Sequence, residues 1–180
     1  MDCHYILAQA IGFGGAAMLI GAYQCKTSHR LFGMQICGHL LYIIHFFMLG
    51  ALSGATTLFI ALLRGVILFN AKKRWARSPL WLWLFIGLFA AGCFVTWTDA
   101  FSLLPCAAMI VTTSAMWSTN GKKIRLANMF VSSPFWLVYD AHAGSWSGVL
   151  CELFAISSIM ISIFRYGLKA LDVDESAGNG

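Results

Sequence analysis

Arg64 and Glu152 are strongly charged residues set well inside long apolar runs: Arg64 in TLFIALLRGVILFN (57–70) and Glu152 in SGVLCELFAISS (147–158). An ionisable side chain at such depth in a bilayer faces the interior of a helix bundle, pairs with an opposite charge, or marks the path of a solute or proton. Three arrangements fit the two residues. They form a structural ion pair across the bundle. One or both belong to a translocation site, where Arg64 draws an anionic or strongly polar substrate or Glu152 serves as a proton-coupling carboxylate. Or Arg64 snorkels to the membrane surface along its apolar stem.

Polar and aromatic residues recur at helical spacing around them. Gln35, His39 and Tyr42 follow at i, i+4 and i+7, as do Gly38, Tyr42 and His45, which sets them on one helix face centred on Tyr42. Ser132, Ser133, Trp136, Tyr139 and Asp140 form a second face of the same character. Two such faces line a cavity or pack helix against helix. The candidate substrate-binding residues are Tyr42, His45, Arg64, Trp136, Tyr139 and Glu152; Gln35, His39, Pro105, Pro134 and Asp140 are candidates for its lining or gate. Pro removes a helix hydrogen bond, so Pro105 and Pro134 are expected to interrupt their helices, as are Gly12, Gly14 and Gly15 in the first apolar run.

Other chemistries find no support. The six cysteines are scattered singly, without Cys-x-x-Cys or Cys/His ligand spacing, so neither a disulfide framework nor a metal site is expected. No Lys lies inside an apolar run to form a Schiff base, and Gly-x-Ser-x-Gly, Walker and His-Glu-x-x-His motifs are absent. No cofactor is expected, and the chain is not read as an enzyme. The competing readings are a non-transporting receptor, a membrane-embedded enzyme using Glu152 and His45 as acid and base, and a scaffold subunit.

The elements that must position these residues follow from composition. Of 180 residues 59% are hydrophobic and 11% charged, against about a quarter charged in a soluble domain, which marks a polytopic helical membrane protein. Seven apolar runs cover roughly 5–23, 31–49, 54–70, 79–97, 100–118, 125–140 and 147–166. Eleven of the 12 Lys and Arg residues fall in alternate connections: Lys26 and Arg30, then Lys72, Lys73, Arg74 and Arg77, then Lys122, Lys123 and Arg125, then Arg165 and Lys169. The opposite connections carry Asp2, Asp99 and Asp140. The positive-inside rule then places the N-terminus outside and the C-terminus in the cytoplasm. The net charge of +5 is an orientation signal and not a nucleic-acid footprint. The acidic N-terminus MDCHY is not that of a cleavable signal peptide.

Shifting the sequence by 94 residues superposes Gly50-Ala51-Leu52-Ser53-Gly54-Ala55 on Gly144-Ser145-Trp146-Ser147-Gly148-Val149, and Tyr42 on Trp136, without a gap. The expected fold is all-α: seven transmembrane helices in two parallel three-helix repeats joined by a linking helix (3+1+3). The repeats span 1–70 and 99–168, the basic loop and linker 71–98, and a cytoplasmic acidic tail 169–180. The sequence resembles the YgjV family of bacterial inner membrane proteins over nearly its whole length. The residues that carry the likeness are His45-Phe46-Phe47 with Leu49-Gly50, Ala61 with Arg64, Ala143-Gly144-Ser145 with Gly148, and Glu152. The 3+1+3 plan looks like the SWEET, PQ-loop and PnuC-type carrier superfamily. That resemblance implies an inner-membrane carrier for a small polar solute, aromatic or sugar-like, with a midplane site and alternating access. Its partners would be the solute and the lipid bilayer, as a monomer or weak homo-oligomer.

Overall fold

A computed structural model describes residues 3–22, 28–70, 73–76, 78–118 and 121–166, so the tail at 169–180 lies outside the described residues. The described elements are helical. They are α1 (Cys3–Ala22), α2 (Ser28–Met48), α3 (Leu52–Phe69), α4 (Pro79–Val95), a 3-10 turn (Ala100–Ser102), α5 (Leu103–Trp117), α6 (Gly121–Ala127), a π turn (Asn128–Ser132), α7 (Ser133–His142) and α8 (Trp146–Tyr166). Ala127 and Ser133 keep helical dihedrals, so α6, the π turn and α7 make one continuous rod. The seven apolar runs each fall on one of seven rods. Cys3–Gly21, Leu52–Phe69 and Ala100–Trp117 are long and apolar enough to cross a membrane; Gly33–Met48, Pro79–Val95 and Trp146–Ile161 are apolar but shorter. Large apolar side chains such as Phe47, Trp83, Phe94 and Phe164 point outward, as expected where lipid is the solvent.

The expected helix breaks fall differently. The first helix runs unbroken through Gly12, Gly14 and Gly15, which serve close packing instead: a methyl on Gly15 would press on the Tyr42 ring and the Gly38 carbonyl of α2, and one on Gly12 would overlap Ser147 and His45. Pro105 sits in the first turn of α5, where no helical acceptor is lost, so it starts that helix rather than interrupting it. Pro134 follows the π turn at Asn128–Ser132. The wider turn lets the rod continue past a residue that has no N–H to donate.

The α2–α3 and α7–α8 connections are the same turn. Gly50 and Gly144 have φ of 72° and 69°, a conformation that a side chain disfavours. In the first, the N–H of Ala51 bonds to the Phe46 carbonyl at 2.9 Å and that of Gly50 to Phe47 at 3.1 Å. In the second, Ser145 bonds to Asp140 at 2.8 Å and Gly144 to Ala141 at 3.4 Å. Both are Schellman closures that satisfy the last carbonyls of one helix before the next begins.

Both hairpins, the start of α1 and the α4–α5 connection lie at one end of the bundle. The Tyr5 hydroxyl donates to the Gly144 carbonyl (3.1 Å), His45 meets Ser145 (2.8 Å) and His142 meets Asp99 (2.7 Å). Lys73 and Arg74 lie between α3 and α4, and Lys123 in the first turn of α6, on the opposite side. Neighbour packing runs α1–α2–α3–α5–α7–α8 and back to α1, a closed ring of six rods, with α4 outside it against α3 and α5.

Replacing Gly50 or Gly144 with Ala isolates the backbone cost, because no neighbour lies closer than 3.8 Å to either added methyl. Each substitution is expected to cost about 1 kcal/mol, read as a lowered melting temperature in detergent. A loss at one turn and none at the other would contradict their equivalence.

Candidate functional site

A cavity of about 720 Å³ lies inside the ring. Its lining reaches Phe69, the last residue of α3, and Gly33 near the start of α2, both at the end opposite the hairpins. Toward the hairpins it ends on Tyr42 and Phe46 of α2, Trp136 and Asp140 of α7, and Gly148 of α8. These rings are closely joined, with Phe46 at 5.9 Å from Trp136 and Tyr42 at 5.9 Å from Phe46.

Of the residues expected to bind substrate, Tyr42, Arg64, Trp136 and Glu152 line this cavity; of those expected to line or gate it, Gln35, His39 and Asp140 do. Pro105 and Pro134 are not among its walls. His45 and Tyr139 are also excluded, and the reason is hydrogen bonding. Both are turned toward the hairpin end, where they join opposite halves of the ring. His45 Nδ1 donates to the Ala8 carbonyl of α1 at 2.7 Å, since a carbonyl can only accept. In the neutral ring that leaves Nε2 to accept from Ser145 Oγ at 2.8 Å, with Ser147 Oγ at 3.5 Å. Ser145 Oγ in turn accepts from the Gly148 N–H (3.2 Å) and caps α8.

At the other hairpin the cap residue is Ala51, which has no side-chain acceptor. Tyr139 of α7 supplies one: its hydroxyl accepts from the Gly54 N–H at 2.8 Å and shares a hydrogen bond with Ser53 Oγ at 2.8 Å. The offset of 94 residues that relates the two hairpins also relates His45 to Tyr139 and Ser53 to Ser147. His45 of α2 thus reaches Ser147 of α8, and Tyr139 of α7 reaches Ser53 of α3. Gln9 adds a donor to the Gly144 carbonyl at 2.7 Å. Ser53, Ser145 and Ser147 were visible in the aligned Gly-x-x-Ser-Gly stretches, but nothing in the spacing says that they bond across the ring.

Arg64 does not pair with Glu152; no N–O approach within salt-bridge distance joins them, although they line one cavity. Nor does it snorkel, being 7% exposed. Its Nη1 donates to Thr113 Oγ1 of α5 at 2.6 Å and its guanidinium lies 5.9 Å from the centre of the Phe89 ring of α4. Thr113 Oγ1 passes its own proton to the Met109 carbonyl. The side chain thus sits at the α3–α5 seam, with Nε buried and unpartnered. Sequence reasoning missed Thr113, whose partner is 49 residues away and whose residue type is common in apolar helices.

The acidic wall stands across the ring. Asp140, 2% exposed, is held against Gly148, where even a methyl would collide with its carboxyl, and its Oδ1 has no hydrogen-bond partner. Glu152 is near enough to Asp140 to interact electrostatically and has Ser133 beside its carboxyl. Cys151, which sequence reasoning read as plain packing, also lines the cavity beside Tyr42. The Tyr42 hydroxyl and, outside the cavity, Gln9 Oε1 are the other buried polar atoms without a hydrogen bond among the described residues. Among the described residues no group of His, Cys, Asp or Glu has the arrangement of a metal site.

Residues 6–170 match the Imp-YgjV family, described as bacterial inner membrane protein. The chain belongs to that family. It is 27% identical over 150 residues to the inner membrane protein YgjV of Escherichia coli (strain K12), a likeness covering 82% of this chain and 78% of that protein. No solved structure matches the chain. Family membership and the apolar helices place the protein in the bacterial inner membrane.

Tyr139→Phe removes the acceptor for the Gly54 N–H and the partner of Ser53 while keeping the ring. It is expected to cost about 1–3 kcal/mol, because buried polar groups are left unpaired, and differential melting in detergent reads the loss. Outside the membrane, the His142 hydrogen bond holds the Asp99 carboxyl below the usual carboxylate range, helped by the Phe101 and Ser102 N–H groups. A depressed carboxyl contributes stability above its unfolded value and loses it as pH falls through the folded one. In His142→Ala, Asp99 should titrate closer to the ordinary range, which carboxyl NMR would follow.

Proposed function

We propose that this protein is a small-solute carrier that works by alternating access. The observation that carries the reading is the cavity: it runs to one end of the bundle, stops at the other on a cross-linked aromatic and hydrogen-bonded layer, and holds unpartnered buried polar atoms of Arg64, Asp140 and Tyr42. Buried polar groups in native proteins are nearly always satisfied. A solute entering the cavity would supply what these three lack.

The reading treats α1–α2–α3 and α5–α7–α8 as parallel units joined by α4. It is supported by the matched hairpins, by the matched His45–Ser147 and Tyr139–Ser53 contacts, and by a neighbour order that repeats itself around the ring. The SWEET, PQ-loop and PnuC-type likeness points the same way. Both units lie in one chain, so a monomer encloses the route. The basic end faces the cytoplasm by the positive-inside rule, with the N-terminus outside. The cavity then opens inward, and His45, Tyr139 and their serines act as the outer latch. Rocking one unit against the other would break these contacts and open the far side.

Cys151 tests the reading, because it lines the cavity. In a chain whose other cysteines are Ala, a membrane-impermeant maleimide should label Cys151 quickly from the basic end in inverted vesicles and slowly from the hairpin end in spheroplasts. Tyr139→Phe should raise the hairpin-side rate severalfold. Labelling confined to the basic side in both chains would mean a one-sided pocket, as in a receptor, and not a carrier.

A further inference from the structure

Depth along the helices brings Arg64 and the Glu152 carboxyl into register, whereas Asp140 lies only ~3 Å from the hairpin end of α7. Arg64 lies ~18 Å from the hairpin end of α3, and its guanidinium bonds to Thr113, ~15 Å along α5, at ~1.5 Å per residue. His39 and Ser133 are each ~14 Å from the hairpin ends of α2 and α7 by the same measure. The Glu152 carboxyl lies beside Ser133. For rods of about 20 residues this is close to mid-membrane. The Arg64 guanidinium stands on the α3–α5 side of the ring and the carboxyls on the α7–α8 side. The space between them stays open, because Arg64 bonds to Thr113 and not to Glu152.

Each wall lacks one partner of a definite kind. Arg64 Nε is a buried cationic donor with no acceptor, and Asp140 Oδ1 a buried acceptor with no donor. A sugar would answer both only as a neutral ligand and would leave opposite charges uncompensated. A simple anion would satisfy Arg64 alone and would meet two carboxyls on the facing wall. A simple cation would be held by Glu152, with the aromatic floor of Tyr42, Phe46 and Trp136 to stack on, but would face Arg64. A solute with both charges meets each wall with its complement. Two carboxyls close enough to repel are also relieved by a cation between them.

We propose that the cavity binds a small zwitterion, with its anionic group on Arg64 Nε and its ammonium on Glu152 above the aromatic floor. The assignment rests on the carrier reading for its passage through the membrane, but not for its binding. Recognition is by opposed, pre-placed charges, which reject solutes of single sign more strongly than they reward any one of them.

The test is a melting-temperature panel on the intact protein in detergent, at matched ionic strength. L-Alanine and γ-aminobutyrate supply zwitterions of short and long charge separation; butyrate, butylamine and glucose are the controls. At concentrations far above the dissociation constant, at least one zwitterion should raise the melting temperature by about 5 °C, with the controls near zero. Arg64→Gln should abolish that shift and let butylamine produce one; Glu152→Gln should do the same for butyrate. If either variant fails to fold, the wild-type panel still decides. A shift from glucose, or from one of the single-sign ions equal to that from the zwitterions, overturns the assignment, as does no zwitterion shift at all. Radiolabelled uptake into proteoliposomes separates the two readings. A zwitterion that stabilises but does not cross leaves the ligand class standing and removes the carrier. Glucose that stabilises and crosses leaves the carrier and removes the ligand class.

Discussion

A bilayer core offers no water to a polar group, so every buried donor and acceptor must find its partner inside the protein. The rest of the structure depends on that constraint. It makes the described elements helical and closes each hairpin with Schellman hydrogen bonds around a left-handed glycine. It also explains why Tyr139 reaches across to cap a helix whose own cap residue, Ala51, has no side-chain acceptor. Where the constraint is obeyed, the molecule is sealed. Among the described residues it is not obeyed at Gln9 Oε1, near the hairpin end, or at Arg64, Asp140 and Tyr42, and the last three line one cavity.

The hairpin end and the cavity divide the polar residues between two tasks. His45 and Tyr42 are three residues apart on α2 and touch, their rings 5.8 Å apart edge to face. His45 is spent on Ala8, Ser145 and Ser147 and holds the end of the bundle together; Tyr42 lines the cavity, its hydroxyl beside Ser147 and Cys151. Tyr139 and Asp140 divide in the same way on α7, Tyr139 into the capping network of α3 and Asp140 toward the cavity. The proposed carrier would use both halves of this arrangement: a layer that seals by contacts able to re-form, and beneath it polar groups left for the solute.

Much of the scaffold could be read from residue order. The apolar runs each fall on one rod, and the glycines at the two matched hairpins have the positive φ that explains their identity. The cavity residues Gln35, His39, Tyr42, Trp136 and Asp140 were legible because they recur at helical spacing. The breaks expected at Pro105 and at the glycines of α1 were misread, unlike the irregularity at Pro134, because residue type does not say where in a helix a residue falls. Pro105 is harmless in a first turn, and Gly12 and Gly15 make room for neighbours from α2 and α8. The three serines of the latch and Thr113 were passed over for a related reason: a hydroxyl in an apolar helix can bond to its own backbone or to a distant chain, and the sequence does not distinguish the two.

The sequence by itself determined the membrane class, the helices, the end that carries the basic residues and the pair of equivalent turns. Those properties depend on composition, local periodicity and backbone conformation, which neighbours along the chain control. Only the tertiary structure decided which buried polar groups are satisfied. Arg64 meets Thr113 and not Glu152, and His45 faces Ala8 and not the cavity, because the rotation of each helix about its axis is set by packing against the others. A charge in an apolar run announces that a partner is needed. The closing of the ring determines whether that partner is supplied by the protein or must come from outside.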